Sequence, residues 1–354
     1  MPVRWTHDDG VLIVTIEHPP VNALSHAVRE GLSQAILLLA NDDALHAMLL
    51  CSTGQVFIGG ADIREFSGPR QAPMLNEICR ELEASDKPIV VAMHGVALGD
   101  GFEVALAAHY RVAAPAVELA FPEVLLGLLP GAGGTQRAPR LCGATLALDL
   151  MLSGRRLSAV EALRSGLIDR IADDPTTEAL TWAHALAKHA ATPRRARDGG
   201  ALRDVAVHLA ALRAAERDVA ARSGHLFSPA RIVACVEAAV LRPFDEGMAF
   251  ESAAFLECLE SPPRRALVHL FFAEREVKRS LNEGVDLDAI GARLVAARDA
   301  VETAESMHAM AIEGRAMLNA GIAVREIDID VASVRFAGVP RHLGGVLFDA
   351  STQR

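Results

Sequence analysis

One stretch constrains this chain more than any other. Pro88-Ile-Val-Val-Ala-Met93 has no polar residue on either face and then runs into Gly95 and Gly99-Asp-Gly101. A strand apolar on both faces is a strand covered on both sides, as in a parallel sheet. The glycines let the backbone turn sharply and come close to a neighbour just where a helix begins. The same unit recurs upstream. Val11–Glu17 reads as a strand, Ser25 as a helix N-cap with Val28, Leu32, Ala35 and Ile36 on one face, and Ala47–Ser52 as a second strand. Val56-Phe-Ile-Gly-Gly-Ala-Asp62 then gives another glycine turn, followed by a helix over about Met74–Ala84. Alternating strand, turn and helix implies an α/β fold with its site at the carboxyl ends of strands.

Two glutamates stand beside such turns. Glu103 follows Gly99-Asp-Gly-Phe, and Glu123 opens a run that ends in Pro130-Gly-Ala-Gly-Gly-Thr-Gln-Arg137. Both have apolar neighbours: Val104, Ala105 and Leu106 after the first, Leu119 to Leu129 around the second. Burying a carboxylate is costly unless it is paired or used. Two of them facing glycine turns fit an acid/base pair beside a ligand. The plainer reading is two helix-start acids favoured by the macrodipole.

Other classes drop out. Gly131-Ala-Gly-Gly-Thr-Gln136 and Gly99-Asp-Gly-Phe-Glu-Val104 both break the dinucleotide fingerprint, and there is no P-loop, G-x-S-x-G or H-E-x-x-H. The net charge of −10 argues against nucleic acid and anionic membrane surfaces. Five scattered cysteines lack metal or disulfide spacing and fit a reducing compartment. No apolar run approaches a membrane span, no leader is evident, and the expected location is the cytoplasm of a bacterium.

Three blocks in order resemble the crotonase (enoyl-CoA hydratase/isomerase) superfamily: Phe57-Ile-Gly-Gly-Ala-Asp-Ile63, Gly95–Glu103 and Phe121–Arg137, with Leu152–Ile168 continuing the match. The likeness is nearest to the hydratase half of multifunctional fatty-acid oxidation enzymes. It implies a ββα spiral core over 1–185, a helical region with a linker helix over 186–280, and addition of water to a 2-enoyl-CoA. It makes Glu103 and Glu123 the catalytic acids, and the backbone N–H groups of Ala61 and Asp100 the oxyanion hole. Gly60, Asp62, Ile63, Gly99, Pro130 and Gly131 are the implied substrate contacts, and Arg64 a candidate for a CoA phosphate. CoA arrives as part of the substrate; no metal, NAD or other cofactor is implied. One glutamate takes a proton from water as hydroxyl adds to C3, and the other holds that water and supplies the proton at C2. The alternatives are a Δ3,Δ2-enoyl-CoA isomerase or another crotonase-type enzyme.

At position 100 the family has glycine, and this chain has Asp100. Aspartate is a common N-cap, so its side chain is expected to accept the Phe102 or Glu103 N–H and turn from the site. Turned inward, it would oppose an oxyanion at ~5 Å by about 3 kcal/mol at an effective dielectric of ~20. That is comparable to the roughly 2.7–4 kcal/mol of one oxyanion donor, and leaves a weakened, acyl-CoA-binding pseudoenzyme as a further alternative.

Residues 281–354 resemble the last helical part of a 3-hydroxyacyl-CoA dehydrogenase half, through Asn319–Asp330 and Phe336–Gly345. The nucleotide-binding portion that would precede it is missing, and His342 is expected in a loop of the helical remnant. The expected assembly is a monomer or small homo-oligomer, with a fatty-acid oxidation enzyme as a possible partner.

Overall fold

Parallel strands carry the site. The computed structural model describes residues 1–62, 65, 68–69, 71–222, 226–280 and 285–352. Strands β1 (Val3–Asp8) and β2 (Val11–Ile16) form a hairpin. From β2 the sheet continues in parallel through β3 (Ala47–Ser52) and β4 (Ile89–Met93). β5 (Val96–Leu98) leaves this sheet, and β6 (Tyr110–Ala113) pairs with β4 in its place. A second, three-stranded sheet joins β5, β7 (Glu118–Ala120) and β8 (Leu157–Ser158), while β9 (Arg170–Ile171) ends the first sheet beside β6. All five residues of β4 are buried, as its apolar sequence requires.

Helices cover the strands much where the apolar periodicity places them. α1 (His26–Asn41) buries Val28, Leu32, Ala35, Ile36 and Leu39. Ser25 is its N-cap residue but makes no side-chain cap bond. α2 (Leu75–Ala84) buries Ile78, Cys79 and Leu82, and Glu77 Oε2 accepts the Met74 N–H at 2.8 Å. α3 (Asp100–Ala107) and α4 (Gly134–Cys142) each start on a glycine turn.

The chain divides into two compact units. One comprises Met1–Val124, Leu129–Arg222 and Pro229–Leu256; the other comprises Leu125–Leu128, Ser223–Ser228 and Glu257–Arg354. Helix Pro262–Ser280 contributes Ala273 and Val277 to the core of the C-terminal helices, together with Ile290, Leu294, Met310, Met317, Ile329 and Ala332. Within the expected helical remnant over 281–354 stand the helices Leu287–Asp299 and Ser306–Asn319. His342 lies in a short 3-10 turn, Arg341–Leu343. Among the described residues no helix is long and apolar enough to cross a membrane. All five cysteines are free thiols.

Candidate active site

Two turns meet first. Ile58 pairs with Ala97, and Leu98 N–H donates to Ile58 O at 3.1 Å. This sets the Gly59–Ala61 turn beside the Leu98–Asp100 turn. Ala61 also bridges to Leu24, whose N–H donates to Gly60 O at 2.9 Å. Gly60 has φ +114° and Gly99 has φ +52°, both in the region that favours glycine. At Gly99 a Cβ would also sit 2.9 Å from Glu123 Oε1, so a side chain there would push into that carboxyl. The Ala61 N–H has no hydrogen-bond acceptor among the described residues, and the Asp100 N–H faces its own carboxyl. Two amides at adjacent turns, one at a helix N-terminus, suit an oxygen that gains charge.

The carboxyls complete the site. Glu103 is fully buried on α3, and its Oε1 accepts the Ala132 N–H at 2.8 Å and the Gly134 N–H at 2.6 Å. Its Oε2 is buried without a partner. Glu123 is 8% exposed, on the short 3-10 turn Pro122–Leu126, and both of its oxygens are buried without partners. One oxygen from each of Asp100, Glu103 and Glu123 lies within 4.8 Å of the others. Burial pushes the Glu123 carboxyl up to about 8, aided by the charge of Asp100. Glu103 is raised too, by burial first and then by Glu251, Glu123 and Asp100, while the Gly134 N–H opposes the shift. Burial raises Asp100 to about 6, with Arg29 working against it.

Asp100 is therefore not the cap. Gly99 occupies the N-cap position, and its carbonyl takes the Phe102 and Glu103 N–H groups at 2.8 and 3.0 Å. Asp100 is the first helical residue, one position too late for its carboxyl to cap the helix, and the carboxyl joins the acidic cluster.

Of the implied substrate contacts, Gly60 and Gly99 lie in the two turns. Pro130 packs where it would touch a Cβ on Gly134, beside Glu103 Oε1. Gly131 abuts the Phe255 ring, and Asp62 O accepts the Glu65 N–H at 3.0 Å. Ile63 and Arg64 lie outside the described residues.

Sequence reasoning missed Glu251. It is fully buried and accepts the Gly133 N–H at 2.7 Å, the Thr135 N–H at 3.0 Å and the Thr135 hydroxyl at 2.5 Å. The turn over 132–135 is thus gripped by Glu103 on one set of amides and Glu251 on the other. Arg137 adds a bond from Nη1 to Ala132 O at 2.8 Å and pairs with buried Glu83 at 3.0 Å. Burial raises Glu251 to about 7, despite these donors.

The enoyl-CoA hydratase/isomerase family profile matches residues 6–225. The chain belongs to the enoyl-CoA hydratase/isomerase family. It is 40% identical over 281 residues to the peroxisomal bifunctional enzyme of Danio rerio, covering 76% of this chain and 38% of that protein. It is 33% identical over 293 residues to the fatty acid oxidation complex subunit alpha of Shewanella baltica, covering 77% and 41%. The chain spans about two fifths of the length of these curated relatives. A solved enoyl-CoA hydratase/isomerase from Pseudoalteromonas atlantica T6c superposes with a TM-score of 0.59 at 26% identity, covering 77% of this chain and 98% of that one. The fold is the crotonase-type spiral that the three sequence blocks imply, and the C-terminal region is helical as expected.

Proposed function

We propose that this family member hydrates the 2,3 double bond of a 2-enoyl-CoA thioester. The observation that carries the reading is the set of three buried, unpartnered carboxylate oxygens on Glu103 and Glu123, together with the neighbouring Ala61 and Asp100 amides. Water hydrogen-bonds to the carboxyls, and the thioester oxygen accepts from the two N–H groups. As the hydroxyl bonds to C3, electrons move toward the thioester oxygen, where the amides stabilise the enolate. The proton at C2 closes the addition.

The two glutamates divide the work by their surroundings. The two N–H bonds on Glu103 Oε1 hold that oxygen and leave Oε2 as an acceptor for the water proton. Glu123, with both oxygens unpartnered and its carboxyl raised to about 8 by burial, is read as the donor of the proton that C2 needs. Side chains, amides and water supply this chemistry, and CoA enters with the substrate. The C-terminal helices are read as the counterpart of the helical end of a dehydrogenase half.

A crotonyl-CoA hydration assay, following loss of the enoyl thioester absorbance, tests the reading. Turnover by the wild type and its loss in Glu123→Gln, with acyl-CoA binding retained, is expected. Wild-type protein that binds acyl-CoA without turnover, or a Glu123→Gln variant of undiminished rate, overturns it.

A further inference from the structure

The reaction above uses two carboxyls, yet the site holds three. Asp100, Glu103 and Glu123 each bring an oxygen within 4.8 Å of the other two. Glu103 Oε2 and both Glu123 oxygens are buried and have no partner, so they point at something the protein itself does not supply. No cationic side chain among the described residues closes the cluster. Arg29, whose charge acts on Asp100, is committed to Glu65 Oε2 at 2.8 Å and to the carbonyls of Leu24, Gln71 and Pro73. Arg137 is committed to Glu83.

We propose that Asp100, Glu103 and Glu123 form a binding site for a hard divalent cation, of the Ca²⁺ or Mn²⁺ kind, and that the cation competes with the acyl thioester. An all-oxygen donor set selects hard cations over zinc or copper. The three oxygens lie within 4.8 Å of one another, close enough to share one ion with bonds of about 2.3–2.6 Å after small side-chain adjustments. Glu103 is preset as a ligand. Its Oε1 is fixed by the Ala132 and Gly134 amides, which leaves Oε2 aimed inward. Asp100 keeps some exposure to solvent, from which an ion can reach the cluster. A bound cation occupies the oxygens that hold the reacting water, so ion and substrate exclude each other. Only the location rests on the hydratase reading; the binding itself does not.

Titration of the full chain with Mn²⁺, followed by the electron paramagnetic resonance signal of the free ion, is the test. One Mn²⁺ per chain is expected. Its Kd should rise at least about tenfold in Asp100→Asn and in Glu123→Gln, since each removes a charged ligand, and butyryl-CoA should release the ion. Thermal melts establish that the variants fold. In the hydration assay Mn²⁺ should raise the KM for crotonyl-CoA in the wild type and leave Asp100→Gly unaffected. Mn²⁺ that stays free, or binds Asp100→Asn as tightly as the wild type, overturns the proposal. Absence of turnover leaves the binding result decisive and bears only on the hydratase reading.

Discussion

Each unit of the molecule buries a carboxylate. In the C-terminal unit Asp330 is 1% exposed. Its Oδ1 accepts the Leu347 and Phe348 N–H groups at 2.7 and 3.2 Å, and its Oδ2 lies 3.0 Å from His269 Nε2. His269 in turn stacks on Phe348 with ring centroids 4.3 Å apart. In the N-terminal unit Glu123 is nearly as buried and has no partner at all. Burial alone thus says little about what an acid does. A satisfied carboxylate stitches a fold together. An unsatisfied one costs the fold free energy and is retained for what it offers a ligand.

The contrast is tested first at Glu123. Glu123→Gln should lower kcat for crotonyl-CoA hydration by about 10²–10⁴-fold while the protein stays folded, as read by the hydration assay and circular dichroism. A variant that unfolds would place Glu123 with Asp330 as a structural acid. Next comes Asp100→Gly. It removes up to about 3 kcal/mol of repulsion at the oxyanion, so kcat/KM should rise by as much as roughly 100-fold. No gain would mean that the Asp100 carboxyl does not oppose the reaction. Asp330→Ala should do the opposite of Glu123→Gln. It leaves two buried amides and a histidine without an acceptor, and denaturant melts should show a loss of about 2–4 kcal/mol, with kcat/KM of the folded protein within about twofold of wild type.

The smallest effect is in the pH dependence of stability. Glu123 has a folded value of about 8 against an ordinary 4.5. A carboxyl raised in this way binds its proton more tightly in the folded state. Its contribution is full below about 4.5 and is lost as pH climbs toward about 8. Stability should therefore fall across that window, and Glu123→Gln should flatten the slope. Unchanged slopes in urea melts at pH 5 and pH 8 would contradict the burial of an unpaired acid.

Much of this site was legible in the chain because its signals are local. The apolar strand at Ile89–Met93, the turns at Gly60 and Gly99 and the apolar framing of Glu103 and Glu123 are each visible within a few residues. Asp100 was misjudged because the cap position depends on a single-residue shift: Gly99 with its positive φ takes the cap and moves Asp100 into the first turn. Glu251 was invisible for a different reason. It grips a turn 116–118 residues earlier in the chain, and within Phe250-Glu-Ser-Ala it looks like any polar position on a helix.

The double grip on the turn over 132–135 has a consequence for synthesis. Glu103 and the amides it holds leave the ribosome early, but the second clamp arrives only with residue 251, beyond the end of the family match at residue 225. Nascent chains that stop short of Glu251 carry Glu103 and Glu123 with the turn over 132–135 lacking its second carboxylate clamp. That turn is finished late in translation, by the helix Phe244–Glu260.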